Sequence, residues 1–163
     1  MYISTDNQKA VQDADLIIAA ASATCPILQP EWFKTGAIIC DVGYPKNISY
    51  APVTRGDIMV FSGGLAKSPT PIAFPIDLGL PTPEVIYGCF AEGIILDLEK
   101  RFENYSFGRG NITAEKVEEI KTLGKKHGFE VADFYWGHQL IDEPMIQKIK
   151  QAIHENKNNS ART

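Results

Sequence analysis

Short, nearly unbroken apolar runs separated by glycine and proline turns fill the first part of the chain, and helical spacing of apolar positions takes over in its second half. Asp15-Leu16-Ile17-Ile18-Ala19-Ala20-Ala21 is such a run and ends in small residues, the pattern of a strand buried on both faces of a parallel sheet. Ala37-Ile38-Ile39-Cys40-Asp41-Val42 and Ile58-Met59-Val60-Phe61 repeat it, each leading into a glycine-containing turn. Three parallel strands are therefore predicted over 15–21, 37–42 and 58–61. Pro30 to Lys34 fits a short helical crossover, and Thr54 to Asp57 a turn. Ahead of the first strand the pattern allows a short helix over Asn7 to Asp13 and a fragmentary strand at Tyr2-Ile3-Ser4.

From Ser68 to Pro83 the chain carries Pro69, Pro71, Pro75, Pro81 and Pro83, which reads as an ordered surface loop. Thr82-Pro83-Glu84 has the form of a helix start, with an N-cap, a first-turn proline and a first-turn acid, so a largely buried helix is predicted over 83–102. Thr113 caps a second helix over 114–127 whose Val117, Ile120 and Leu123 form one stripe, and Gly128 is placed to stop it. Asp142-Glu143-Pro144 opens a third over 143–154, with Ile146, Ile149 and Ile153 at helical spacing. Residues 156–163 are polar and are expected to be a disordered tail. The whole reads as one domain over 1–155, an α/β fold with a parallel sheet and C-terminal helices.

Composition narrows the function. At 163 residues, 44% hydrophobic and 22% charged, the chain can bury one ordinary core. A net charge of −4 without basic blocks offers no footprint for nucleic acid or an anionic membrane. No stretch approaches the ~20 apolar residues of a membrane span, and no basic segment with an apolar h-region opens the chain, so a cytoplasmic location is expected. Cys25, Cys40 and Cys89 are widely spaced and read as reduced thiols; neither they nor His127, His138 and His154 have metal-ligand spacing, and no metal is expected.

In open parallel α/β sheets, ligands lie beyond the carboxyl ends of the strands. Here those ends read Ala21-Ser22-Ala23-Thr24, Asp41-Val42-Gly43-Tyr44-Pro45-Lys46-Asn47 and Ser62-Gly63-Gly64. Small residues let a flat ribose or nicotinamide approach the backbone, and they equally serve tight strand-to-loop turns. Three such ends in succession favour a nucleotide pocket. A Gly-x-Gly-x-x-Gly phosphate turn is nowhere in the chain.

The pieces Asp41 to Asn47, Gly63-Gly64, Cys89-Phe90-Ala91-Glu92 and Gly108-Arg109 with Ile112-Thr113 resemble the C-terminal NAD(P)-binding part of long-chain acyl-carrier-protein reductases and the related predicted amino-acid dehydrogenases. That group is similar in turn to shikimate dehydrogenases and glutamyl-tRNA reductases. The resemblance runs from about Ile3 to Phe129 and implies a partial, three-layer Rossmann-like fold, the second half of a dinucleotide domain. It implies NADP or NAD as cofactor, with Ala21, Ser22, Ala23, Asp41, Gly43, Tyr44, Pro45, Lys46, Gly63 and Gly64 around it. Cys89 would then be the acyl-accepting nucleophile, with Glu92 one turn on as an orienting group. Departures exist: Leu65-Ala66-Lys67-Ser68-Pro69 stands where the family carries a glutamate and a histidine, and Gly108-Arg109-Gly110-Asn111 replaces its Gly-Arg-Asn-Gln.

Read locally, Cys89 lies about two turns inside the expected helix, beyond the reach of its dipole, and suits a small buried hydrophobe as well as a nucleophile. Lys46 suits a phosphate, a carboxylate or water. Arg109 between glycines could clamp an acidic substrate group or form a surface ion pair. The expected activity is reduction of an acyl thioester, or another small molecule, to an aldehyde through an acyl-cysteine. The alternatives are direct hydride transfer of the shikimate or amino-acid-dehydrogenase kind, and a non-catalytic half-domain. The edge of the first strand, left open, is expected to support a homodimer.

Overall fold

The computed structural model describes residues 2–49, 55–108 and 110–160. In chain order the elements are α1 (Asn7–Val11), β1 (Leu16–Ala19), β2 (Ile38–Asp41), β3 (Met59–Ser62), β4 (Leu65–Lys67), β5 (Val85–Tyr87), α2 (Gly88–Leu98), α3 (Ala114–Lys126), β6 (Glu130–Val131), β7 (Tyr135–Trp136), β8 (Gln139–Leu140) and α4 (Glu143–Ser160). They form two compact units, Met1–Gly63 with Phe134–Thr163, and Gly64–Asp133. Among the described residues no helix is long and apolar enough to cross a membrane, and no group of three His, Cys, Asp or Glu side chains could hold a metal ion.

The first unit is built on a parallel sheet in the order β1-β2-β3, with Leu16 beside Ile38 and Ile38 beside Met59. Asp6 caps α1 by accepting from the Lys9 N–H at 3.1 Å. No strand forms at residues 2–4. One face of the sheet, carrying Ile17, Ala19, Ile39 and Val60, packs on Val11, Leu28, Phe33, Ile48, Trp136 and Ile141. The other face differs from the two-sided burial expected of these runs: Leu16 and Ile18 are 61% and 67% exposed. An apolar run reports that no polar residue interrupts it; whether a second layer covers both faces depends on chain elsewhere. The structure is thus a mixed α/β fold with a three-stranded parallel sheet. Within the sheet β1 pairs only with β2, and sedimentation is the measurement that decides the self-association expected from that edge.

Asp142 caps α4 by accepting from the Met145 N–H at 2.9 Å, and Ile149 is buried. The helix runs to Ser160, past the end expected at 154 and through most of the segment expected to be a tail. Glutamine and glutamate pairs four residues apart, such as Gln151 Nε2 to Glu155 Oε1 at 2.9 Å, support it there.

A polar clip ties the turn before β3 to the turn before β2. Arg55 donates to both carboxylate oxygens of Asp57, at 2.9 and 2.6 Å, and to the carbonyls of Pro30 and Phe33; Thr35 Oγ1 adds a 2.7 Å bond to Asp57. The Arg55 hydrogen bonds bring the Asp57 carboxyl down from its ordinary 3.8 to about 2. A depressed carboxylate stabilises the fold above its unfolded value and loses that contribution as pH falls towards the folded one. Asp57→Asn is therefore expected to cost about 2 kcal/mol at neutral pH and to flatten the stability profile below about pH 4, read from urea unfolding across the acid range. An unchanged acid limb would contradict this assignment.

In the second unit, β4 pairs antiparallel with β5, Leu65 opposite Tyr87, and with β6. The segment expected to begin a helix at 83 instead forms β5, and α2 starts at Gly88 and ends at Leu98 rather than 102. Val85, Ile86 and Tyr87 are β-branched and aromatic and satisfy their backbone in the β4 ladder. Lys100, at φ +57°, then closes the helix end. The proline-rich loop is ordered as expected: Ser68 and Ile72 donate backbone bonds to Glu84 and Pro83, and Ile72, Phe74 and Leu80 pack on the core of Ile86, Ala91, Ile95 and Phe129. Thr113 caps α3, and Gly128 follows its end at φ +78°.

Candidate active site

In the first unit the strand ends come together. The loop after β2 is organised by Asp41, which is fully buried. Its Oδ1 accepts from the Gly43 N–H at 3.0 Å and Asn47 Nδ2 at 3.1 Å; its Oδ2 accepts from the N–H groups of Asn47 at 2.7 Å and Ile48 at 3.0 Å. Asp41 therefore anchors the loop from within. A Cβ on Gly43 would stand 2.0 Å from Asn47 Nδ2 and 3.0 Å from the Ala21 carbonyl, so only glycine lets the loops after β1 and β2 meet. A Cβ on Gly63 would stand 2.5 Å from Cys40 Sγ.

Around this core Ala21, Ser22, Tyr44 and Pro45 are exposed and Ala23 is half-buried. Lys46 is buried, its ammonium donating to the Asp41 carbonyl at 2.8 Å; burial pushes its pKa down. Burial likewise raises the Cys40 thiol. Asn47 Oδ1 is buried without a hydrogen-bond partner. The loops after β1 and β2 thus present small side chains and an accessible turn beyond the ends of parallel strands. The phosphate end finds no glycine-rich turn in this sequence.

Gly64, Cys89 and Glu92 belong to the second unit; Arg109 lies outside the described residues. Gly64 adopts φ +71°, and its carbonyl accepts the Gly88 N–H at 2.8 Å, fixing the point where β5 turns into α2. Cys89 is exposed and occupies the second position of α2, in its first turn. This corrects both local expectations, burial and a place two turns inside. Tyr87 gives no side-chain cap, so the positive end of the helix lies beside the sulfur, where an oxyanion formed on an attacked carbonyl would be stabilised.

Cys89 lines an open pocket of about 260 Å³ between the start of α2 and α3. Ile112, Val117 and Ile120 form its apolar wall. Several of its polar groups are hydrogen-bonded: Ser106 Oγ donates to Glu92 Oε1 at 2.7 Å, Lys116 Nζ to the Tyr105 carbonyl at 2.7 Å, and Asn111 Nδ2 to the Phe107 carbonyl. The Tyr105 hydroxyl faces Glu119 Oε2 and the Lys116 carbonyl, each at 2.7 Å, and burial pushes it up to about 12. Beside the thiol and the apolar wall the pocket thus carries one charge of each sign, Glu92 and Lys116. Glu92 was expected from the sequence; Ser106, its partner fourteen residues on, carried no signal there.

The fold and this pocket define a mixed α/β protein with an accessible cysteine at an uncapped helix start. No family model matches the chain. It is 30% identical over 154 residues to the aminotransferase PigE of Serratia sp. ATCC 39006, a match covering 93% of the chain and 18% of that protein. It is 32% identical over 128 residues to the long-chain acyl-[acyl-carrier-protein] reductase of Synechococcus elongatus, covering 76% of the chain and 37% of the reductase. The chain is thus distantly related to both and spans well under half the length of either.

Proposed function

We propose that the chain forms part of a nicotinamide-dependent reductase that converts an acyl thioester to an aldehyde through an acyl group carried on Cys89. The observation that carries this reading is the exposed Cys89 thiol in the first turn of α2, beside a pocket with an aliphatic wall of Ile112, Val117 and Ile120. The distant relationship to an acyl-carrier-protein reductase supports the same chemistry.

In this reading the Cys89 sulfur attacks the thioester carbonyl, the first-turn N–H groups of α2 hold the oxyanion, and the carrier thiol leaves. Glu92, held by Ser106, orients a donor group of the backbone or the substrate at the pocket mouth. A nicotinamide cofactor, when bound, would supply the hydride that turns the acyl group on Cys89 into an aldehyde and returns the thiolate. Within the first unit the exposed Ala21, Ser22, Tyr44 and Pro45 with Ala23 would hold a nicotinamide end, with Asp41 and the buried Lys46 keeping the loop in shape.

Incubation of the chain with an acyl thioester in the absence of reductant tests the reading. Intact mass should rise by one acyl group, which peptide mapping places on Cys89. Acylation spread equally over Cys25 and Cys89, or none at all, would refute it.

A further inference from the structure

We propose that the pocket beside Cys89 is a chain-length gauge: it seats the hydrocarbon tail of the acyl group and admits straight chains of medium length, with Val117 and Ile120 as the residues that set the limit. The inference rests on the acyl-cysteine reading and extends it to the choice of substrate.

Three observations carry it. Ile112, Val117 and Ile120 line the pocket beside Cys89, and most of the pocket surface is apolar. Ile112 and Val117 are 69% and 51% exposed, so two apolar side chains at the mouth stay in water until something apolar covers them. Ile120 is half-buried and packs on the core of the second unit, which gives the pocket a floor. Size then sets the class of tail. A cavity of ~150 Å³ accepts benzene, with its six carbons, so about 260 Å³ holds roughly ten. A longer tail would leave its end over the open rim in water and gain nothing from the added carbons.

N-alkylmaleimides from ethyl to hexadecyl test this without requiring thioester chemistry. Peptide mapping would follow modification of Cys89 relative to Cys25, an exposed thiol that does not line the pocket and serves as the internal reference. The Cys89 to Cys25 ratio is expected to climb by about two- to fourfold for each methylene that enters the pocket, then level off near decyl. Val117→Trp, at an exposed position that leaves the core untouched, should move the plateau to shorter chains, while Ile120→Ala should move it to longer ones. A ratio independent of chain length, or a plateau that Val117→Trp does not move, overturns the gauge and leaves the acyl-cysteine reading standing. A length-dependent maleimide ratio with no Cys89 adduct from any thioester keeps the pocket and overturns the reductase reading.

Discussion

Replacing Cys89 with alanine is expected to abolish acyl transfer to the protein while changing folding stability by no more than about 0.5 kcal/mol. The thiol is exposed, so its removal opens no cavity, and it caps nothing, so α2 keeps its start. Losing the nucleophile removes the covalent step altogether, an effect on the order of a thousandfold or more in the rate of adduct formation. Cys89→Ser separates nucleophile from shape: the hydroxyl fits the same space, and at neutral pH it should be as inactive as alanine. Adduct formation surviving in Cys89→Ala at more than about a tenth of the parent rate would move the chemistry to another residue. Intact mass measured beside urea unfolding supplies both halves of this test.

Asp41→Asn is expected to produce the largest loss of stability of any isosteric change in the first unit, about 3 kcal/mol or more. The carboxylate accepts from Gly43 and Asn47 Nδ2 on one oxygen and from the N–H groups of Asn47 and Ile48 on the other. Whichever way an asparagine amide is turned, its NH₂ faces two donors, and a buried acceptor site becomes a buried clash of hydrogens. The urea midpoint should fall without a change of slope, since the surface exposed on unfolding stays the same. A loss below about 1 kcal/mol would mean that the loop finds other partners. If the loop also holds a cofactor, Asp41→Asn should weaken nicotinamide binding although its side chain is out of a ligand's reach.

What the chain order revealed was local. The three strand positions followed from short apolar runs between turns, and Thr113, Gly128 and Asp142 announced helix ends because caps are written within four residues of the backbone they serve. The start of α2 was misplaced because Thr82-Pro83-Glu84 carries the same signature as a cap, whereas the competing partner of Val85 to Tyr87 lies some twenty residues upstream in β4. A ladder bond outweighed a local propensity there. Exposure of Leu16 and Ile18 was hidden for a related reason, since an apolar strand looks the same whether one or two layers cover it. In the candidate site, the strand-end residues and Cys89 were legible as residues. The four-donor grip on Asp41, the Thr35–Asp57–Arg55 clip and the Ser106–Glu92 pair join positions from two to twenty-two residues apart, with no pattern along the chain to mark them.

Because Tyr87 ends β5 and Gly88 begins α2 with no residue between them, the Cys89 sulfur is mounted directly on a hydrogen-bonded ladder. Its bearing in space is inherited from main-chain geometry, with the Gly88 to Gly64 bond acting as a pin. Substitution of neighbouring side chains therefore leaves that bearing in place, but a single-residue insertion on either side of the junction would rotate it by about a quarter turn of helix.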